Sequence, residues 1–472
     1  MMKKNKEIIL VIAIILVLAL QIWIGENMNK ASKGNIRKPA MSGTFYLANA
    51  VSLSSQLEGF FNNINIEYDG EKTRAFIAPH AGYIYSGKTA MFAYKELYMD
   101  LILREEDIFK VIILAPAHTE YTEGIVIPNY DYFRTPLGDV KVNSTKIKAE
   151  INDSPHEQEH AIEVQLPFLQ YIFKKANKEF TIVPIIVGDI SAEEAKAIAK
   201  DINKEIEEHT IIIVSSDLSH YKSQEKAKET DNKTIHNILD INNNENLDAC
   251  GSNPIKILKE ISRLRNWNSP KLLNYSTSGD VTLDKKAVVG YASISFTEKK
   301  EHLLLRLAHR TIQNVFDART ENFSCLEQSV PKSYLERKGS FVTLTINKRL
   351  RGCIGNITST KTVFQGIIDN AKFAAFEDPR FDSLTEKEFE KVDIEISILS
   401  KPVDCSLSDI KKGDGVIIRQ GVASSVYLPQ VWEQLPDKET FLSSLCEKAG
   451  LDWNCYKEKE TKFKRFEVEI IE

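Results

Sequence analysis

From Gly34 to about Phe296, short apolar runs alternate with amphipathic stretches. Five runs predict strands: Arg74–Ala78, Val111–Ala115, Thr181–Val187, Ile211–Val214 and Val288–Phe296. Most are rich in Ile and Val, as strands buried on both faces require. Helices are predicted between them. One begins at Ser154-Pro155-His156-Glu157, a serine cap with proline at the first helical position and glutamate at the third. It runs through Ile162, Leu166 and Leu169, and Pro167 is expected to kink or restart it. Another starts at Ser191, with Glu194 as capping partner, and ends near Glu208. Strand–helix alternation predicts an α/β sheet covered on both faces. No repeat of fixed period accompanies it.

The polar stretch Thr297-Glu298-Lys299-Lys300-Glu301 marks a change of pattern. Beyond it an amphipathic helix carries Leu303, Leu304, Leu307, Ile312, Val315 and Phe316. Strand Ser340–Ile346 alternates and can turn at Asn347-Lys348. A helix over Val363–Phe376, a strand over Asp393–Leu399 and a last strand over Phe466–Ile471 follow. Regular βαβ order is missing, so this part reads as α+β. The chain thus divides into an N-terminal segment, residues 1–33, an α/β domain, 34–298, and an α+β domain, 299–472.

In the first segment Lys3, Lys4 and Lys6 precede an apolar run from Ile8 to Ile24, interrupted only by Gln21. That length suits a tilted membrane span better than a signal-peptide core. No small-x-small cleavage site follows, which favours an uncleaved single-pass anchor over a cleaved signal. Lys30, Lys33, Arg37 and Lys38 put positive charge on the far side too, so orientation is weakly marked. The expectation is a membrane protein with its large domains outside the cytoplasm.

With 472 residues, 43% of them hydrophobic and 27% charged, the chain reads as globular. A formal charge of -5 leaves no basic excess to indicate a nucleic-acid partner. Six cysteines without CxxC or a Cys/His tract exclude a dense disulfide framework and are compatible with a reducing compartment.

Three predicted strands run straight into histidine. Arg74–Ala78 leads to Pro79-His80, Val111–Ala115 to Pro116-Ala117-His118, and Ile211–Val214 to Ser215-Ser216-Asp217-Leu218-Ser219-His220. Ligands of open α/β sheets bind beyond the carboxyl ends of strands, so these residues are candidates for one site. Only nine histidines exist in the chain. Neutral imidazole is the commonest metal ligand near neutral pH, and three protein ligands with open positions suit metal-assisted chemistry. Asp217 and His220 read as further metal ligands or as acid/base groups, and Asp217 alternatively as a helix cap. His160 and Glu163 share a helix face and read as a proton relay or as a surface pair.

Several ordered motifs resemble the Memo family, the protein B component of the AmmeMemoRadiSam system. They are Arg37-Lys38-Pro39-Ala40, Gly43-Thr44-Phe45-Tyr46, Ala78-Pro79-His80-Ala81-Gly82-Tyr83, Glu159-His160-Ala161-Ile162-Glu163, Ser215-Ser216-Asp217-Leu218-Ser219-His220-Tyr221 and Thr277-Ser278-Gly279-Asp280. The likeness covers essentially all of 34–296. Leu350-Arg351-Gly352-Cys353-Ile354-Gly355, Ala374-Ala375-Phe376-Glu377-Asp378-Pro379-Arg380-Phe381 and Leu428-Pro429-Gln430-Val431 resemble the protein A component, the Amme domain.

The Memo resemblance implies a fold like that of class III extradiol dioxygenases, and iron or copper held by two histidines and a cysteine. The matching positions are His80, His118 and Cys250. Read without the resemblance, Cys250 is a small buried apolar residue. A thiolate in place of a carboxylate favours a softer ion such as copper(I), or a redox role. Asp217, His220 and His160 would then move protons for a small-molecule substrate. The alternatives are a metal-binding interaction module for a radical-SAM companion protein, and metal-dependent hydrolysis. In the Amme domain Cys353 reads as a buried structural cysteine and Arg380 as a turn residue, leaving a binding module. The membrane anchor departs from the soluble intracellular proteins that the resemblance implies.

Overall fold

A computed structural model describes residues 34–243, 247–298, 302–320 and 322–472. Its first half is built on β1 (Lys72–Ala78), β2 (Ile108–Pro116), β3 (Ile125–Ile127), β4 (Glu150–Ile151), β5 (Glu179–Val187), β6 (Thr210–Ser215), β7 (His220–Lys222), β8 (Lys271–Thr277) and β9 (Val288–Glu298). Among the described residues these strands form one sheet in the order β7-β9-β1-β6-β2-β5-β3-β4, with β8 also paired to β9. The centre is parallel: β1 with β6, β6 with β2, and β2 with β5. β9 runs antiparallel to β1, and β8 antiparallel to β9.

Side chains that alternate along the central strands enter two separate cores, as the pleat dictates. Phe76, Val111, Ile113, Ile211 and Ile213 face one core with helices Tyr83–Leu101 and Leu166–Lys175. Ala75, Ile77, Ile112, Leu114, Ile212 and Val214 face the other with helices Ala192–Asn203 and Ser252–Arg265. Burial on both faces is why the sequence shows continuous apolar runs there.

The single helix expected from Ser154 is instead three: Ser154–Glu157, His160–Glu163 and Leu166–Lys175. Extended backbone at Glu159 breaks the first from the second. Pro167 sits in the first turn of the third, where its missing N–H costs nothing. The Ser191–Glu194 capping box forms, but its helix ends at Asn203, before Glu208.

The second half is α+β. Arg349–Asn356, Ser340–Ile346, Val392–Leu399 and Val468–Ile471 form one four-stranded sheet. Val403–Cys405, Lys462–Phe466, Gly415–Gln420 and Ala423–Tyr427 form a second. Positive φ at Asn347 and Lys348 makes the tight turn between the first two. The single last strand expected over Phe466–Ile471 is divided at Glu467 between the two sheets. Cys353 is half-buried on its strand. Arg380 closes on Asp378 (Nη2–Oδ2 2.7 Å) in a turn. Cys446 and Cys455 are joined in a disulfide inside the smaller core, a pairing that cysteine spacing did not reveal.

Helix Leu303–Phe316 links the halves. Leu303, Leu304 and Leu307 share an apolar core with the first sheet's helices. Arg306 donates to Asp100 Oδ1 (2.7 Å), Tyr68 Oη (3.0 Å) and the Gly70 carbonyl (2.6 Å), all buried.

The expectation of a single-pass membrane protein is corrected here. Among the described residues no helix is long and apolar enough to cross a membrane. The longest, Tyr83–Leu101, carries Lys88, Lys95, Glu96 and Asp100, which a bilayer core would strip of water. The apolar run Ile8–Ile24 and the rest of residues 1–33 lie outside the described residues.

Candidate metal centre

β1, β6 and β2 are adjacent, parallel and in register. Two residues beyond their last positions stand His80, Asp217 and His118, respectively. Sheet order thus brings together residues separated by up to 137 positions in sequence. The break at Glu159 puts His160 at the start of its short helix, facing the same point. The ring nitrogens of His80, His118 and His160 offer ligand atoms that all lie within 4.8 Å of one another.

Cys250 reaches this cluster from the turn before helix Ser252–Arg265. Its Sγ lies 3.2 Å from His80 Nε2 and accepts from the Asp217 backbone N–H at 3.2 Å. Gly251 makes the approach possible, because its N–H donates to Ser216 Oγ and a Cβ there would stand 2.6 Å from the Ser216 Cβ. Of the set implied by resemblance, His80 and His118 belong with His160 to the group of converging donors, whereas Cys250 lies against His80 and is not part of that group.

Hydrogen bonds fix which ring nitrogens are free. Ser215 Oγ donates to the Ala161 carbonyl (2.6 Å) and accepts from Gln165 Nε2 (2.8 Å). Its one proton is thus committed, so His80 Nδ1, 3.0 Å away, must be the donor. His118 Nδ1 lies 2.9 Å from Glu159 Oε1, and a carboxylate only accepts. Both rings keep a bare Nε2.

Burial is the leading cause of the shifts in acidity. It pushes His80 down to about 3, with the neighbouring His118 adding to the effect. It pushes His160 down to about 4, again with His80 helping. Both are neutral at pH 7 with a lone pair to give. Burial and the Asp217 charge push the Cys250 thiol up to about 12. Asp217 is raised to about 6 by burial, against the opposing His80 N–H and the His220 and His160 rings. Burial also acts to raise Glu159, but the hydrogen bonds and charge of His118 outweigh it and hold the carboxyl at about 2.

The cluster lies at one side of a cavity of about 660 Å³, which Asp217, His220, Phe45, Tyr85 and Tyr291 also line. A bulge in β7 separates His220 from Lys222, with Tyr221 at positive φ between them. It sets His220 in the cavity wall and leaves Tyr221, also lining the cavity, 79% exposed. Glu163 does not meet His160 in a relay. Buried, it accepts from Arg37, the Ala40 and Met41 N–H groups and Tyr46 Oη, pinning the segment that brings Phe45 to the cavity. Glu159 and Ser215 were not singled out from sequence. A glutamate beside histidine in a helical pattern reads as surface, and its extended backbone was the signal that pattern concealed.

The sequence pattern of the Memo-like protein family matches residues 37–295, and that of AMMECR1 matches 305–471. A MEMO1 family protein of Methanosarcina mazei is 34% identical over 276 residues, spanning 55% of this chain and 98% of that protein. One from Methanocaldococcus jannaschii is 35% identical over 284 residues, spanning 55% and 98%. Among solved structures, the chain is similar to an uncharacterized protein from Pyrococcus horikoshii. The two are 32% identical, covering 35% of this chain and 88% of that one, with a TM-score of 0.32. The chain belongs to the Memo-like protein family, with an AMMECR1 domain following its Memo-like domain.

Proposed function

We propose that this chain is a metal-dependent redox protein of the AmmeMemoRadiSam system, holding iron or copper at His80, His118 and Cys250. The observation that carries this reading is convergence. Histidine nitrogens lie within 4.8 Å of one another, and Cys250 Sγ is 3.2 Å from His80 Nε2, beside an open cavity. The donor set fits such an ion. Two imidazoles with bare Nε2 and a sulfur make a borderline-soft site, suited to iron or copper and poorly suited to magnesium or calcium. The thiol ligates only by losing its proton, so metal uptake releases one. When bound, the ion supplies one-electron or oxygen chemistry, as the resemblance to extradiol dioxygenases suggests.

The chain's own residues supply the rest. His80 and Cys250 are held against each other by Ser215 and by the Asp217 backbone. Asp217, poised near 6, and His220 face the cavity as groups that exchange protons with a bound small molecule. His160 serves as a fourth donor or as a proton carrier, being neutral and within reach of both positions. An open cavity beside the ligands favours turnover over a closed structural site. The AMMECR1 domain is assigned the recruiting role, toward a radical-SAM companion protein.

The test is anaerobic loading of the full chain with iron(II) or copper(I), followed by oxygen uptake. Asp217→Asn and His220→Ala are compared with the parent. Metal-dependent uptake that falls at least about tenfold in both variants supports the enzyme. Stoichiometric metal with no uptake and no change on substitution leaves a metal-binding interaction module.

A further inference from the structure

We propose that Glu159 is the positioning residue of this centre, a single carboxylate that aims the His118 ring at the metal ion and ties it to the helix carrying His160. This rests on the metal-centre reading above. Glu159 is 2% exposed and grips His118 twice. Oε2 accepts from the His118 backbone N–H at 2.7 Å, and Oε1 accepts from the His118 ring Nδ1 at 2.9 Å. Holding backbone and ring of one residue with two oxygens fixes the ring's direction as well as its place. Oε1 also accepts from the Ala161 N–H at 2.9 Å and stands 3.3 Å from His160 Nδ1 without a hydrogen bond to it. One side chain therefore ties the loop after β2 to the helix that begins at His160.

Helix capping alone does not account for these contacts. A cap needs one oxygen on one backbone N–H, and Ser, Thr, Asp or Asn supplies it best. Glu159 uses the Ala161 N–H as a cap, but its remaining contacts go to histidines, one of them 41 residues away. The longer side chain is what reaches that far. Because a carboxylate has no proton to give, His118 Nδ1 must carry the hydrogen, which leaves the His118 Nε2 lone pair to face the shared point. Carboxylates behind ligand histidines act in this way in metal sites generally, and losing one weakens metal binding by about 10- to 100-fold.

Glu159→Gln keeps the length but presents an amide N–H₂ to groups that are themselves donors. The full chain and this variant are titrated anaerobically with iron(II) against a competing chelator, and their metal-free unfolding temperatures are compared. Histidine-labelled, metal-free parent protein is assigned by long-range ¹H–¹⁵N spectra to read each ring's tautomer. The expected result is iron(II) affinity about 10- to 100-fold weaker in Glu159→Gln, Glu159→Asp no stronger than the parent, and the Nδ1–H tautomer for His118. Equal affinity in a folded variant, or an Nε2–H tautomer of His118 in the parent, overturns the proposal. If the variant does not fold, the His118 tautomer in the parent decides alone. If the parent takes up no iron(II), the metal-centre reading fails, while the His118 tautomer still reports whether Glu159 orients that ring.

Discussion

Cys250 Sγ lies 3.2 Å from His80 Nε2, although 170 positions separate the two residues in sequence. The contact needs two independent arrangements: β1 beside β6 in the sheet, and a turn before helix Ser252–Arg265 that closes on Ser216.

Gly251 makes that closure possible. A Cβ at this position would meet the Ser216 Cβ at 2.6 Å and the Ser215 carbonyl at 3.0 Å. Gly251→Ala is expected to push the Cys250 turn outward and weaken metal binding by about tenfold or more. Its loss of unfolding free energy should stay near about 1–3 kcal/mol, the usual cost of overpacking. Chelator competition and urea unfolding measure both. Unchanged metal affinity would show that the turn accommodates the methyl group without moving Cys250.

Glu163 anchors the segment around Phe45. Its buried carboxylate meets Arg37, itself 2% exposed. Glu163→Ala leaves that guanidinium buried without its carboxylate, and breaking such a pair costs about 3–5 kcal/mol. The variant should lose that much in urea unfolding, and limited proteolysis should cut within residues 37–46. A loss below about 1 kcal/mol, typical of an exposed pair, would contradict the buried-anchor account.

Arg306 joins the two halves in the same way, through Asp100. Arg306→Leu is expected to cost about 3 kcal/mol and to lower the unfolding midpoint reported from both halves. Independent unfolding of an unaffected first half would contradict a shared core.

Stability should depend on pH through Glu96. Burial, helped by the charges of Asp69 and Asp100 and opposed by the Ser295 hydrogen bond and the Lys271 charge, pushes this carboxyl from 4.5 up to about 7. Between these values the folded chain holds a proton that the unfolded chain has released. Its contribution therefore falls as pH rises across that window and levels off above it. Glu96→Gln stays neutral throughout. The gain in unfolding temperature of this variant over the parent should be larger at pH 8 than at pH 4.5. Equal differences at both pH values would rule out the shift.

Strand ends were the legible part of the site. Continuous apolar runs identify strands buried on both faces, and the residues just beyond them point to a shared edge, which is how His80, His118 and Asp217 could be read together. The neighbour order of β1, β6 and β2 was not legible, because strand pairing is a long-range property. Cys250 follows no strand, so only resemblance marked it. Glu159 was concealed by a helical pattern that hides an extended residue between two short helices. Arg306 and Asp100 were not singled out from sequence, since each is buried only by virtue of the other. The division of the last strand at Glu467 was equally silent, because apolar alternation continues across it.

Metal content tests the central claim most directly. The full chain is purified anaerobically, reconstituted with iron(II) or copper(I), and assayed for bound metal beside His80→Ala, His118→Ala and Cys250→Ala. The account predicts close to one ion per chain in the parent and its loss in each variant, with the folded state preserved. A parent that binds no ion after reconstitution, or variants that bind as the parent does, would contradict it.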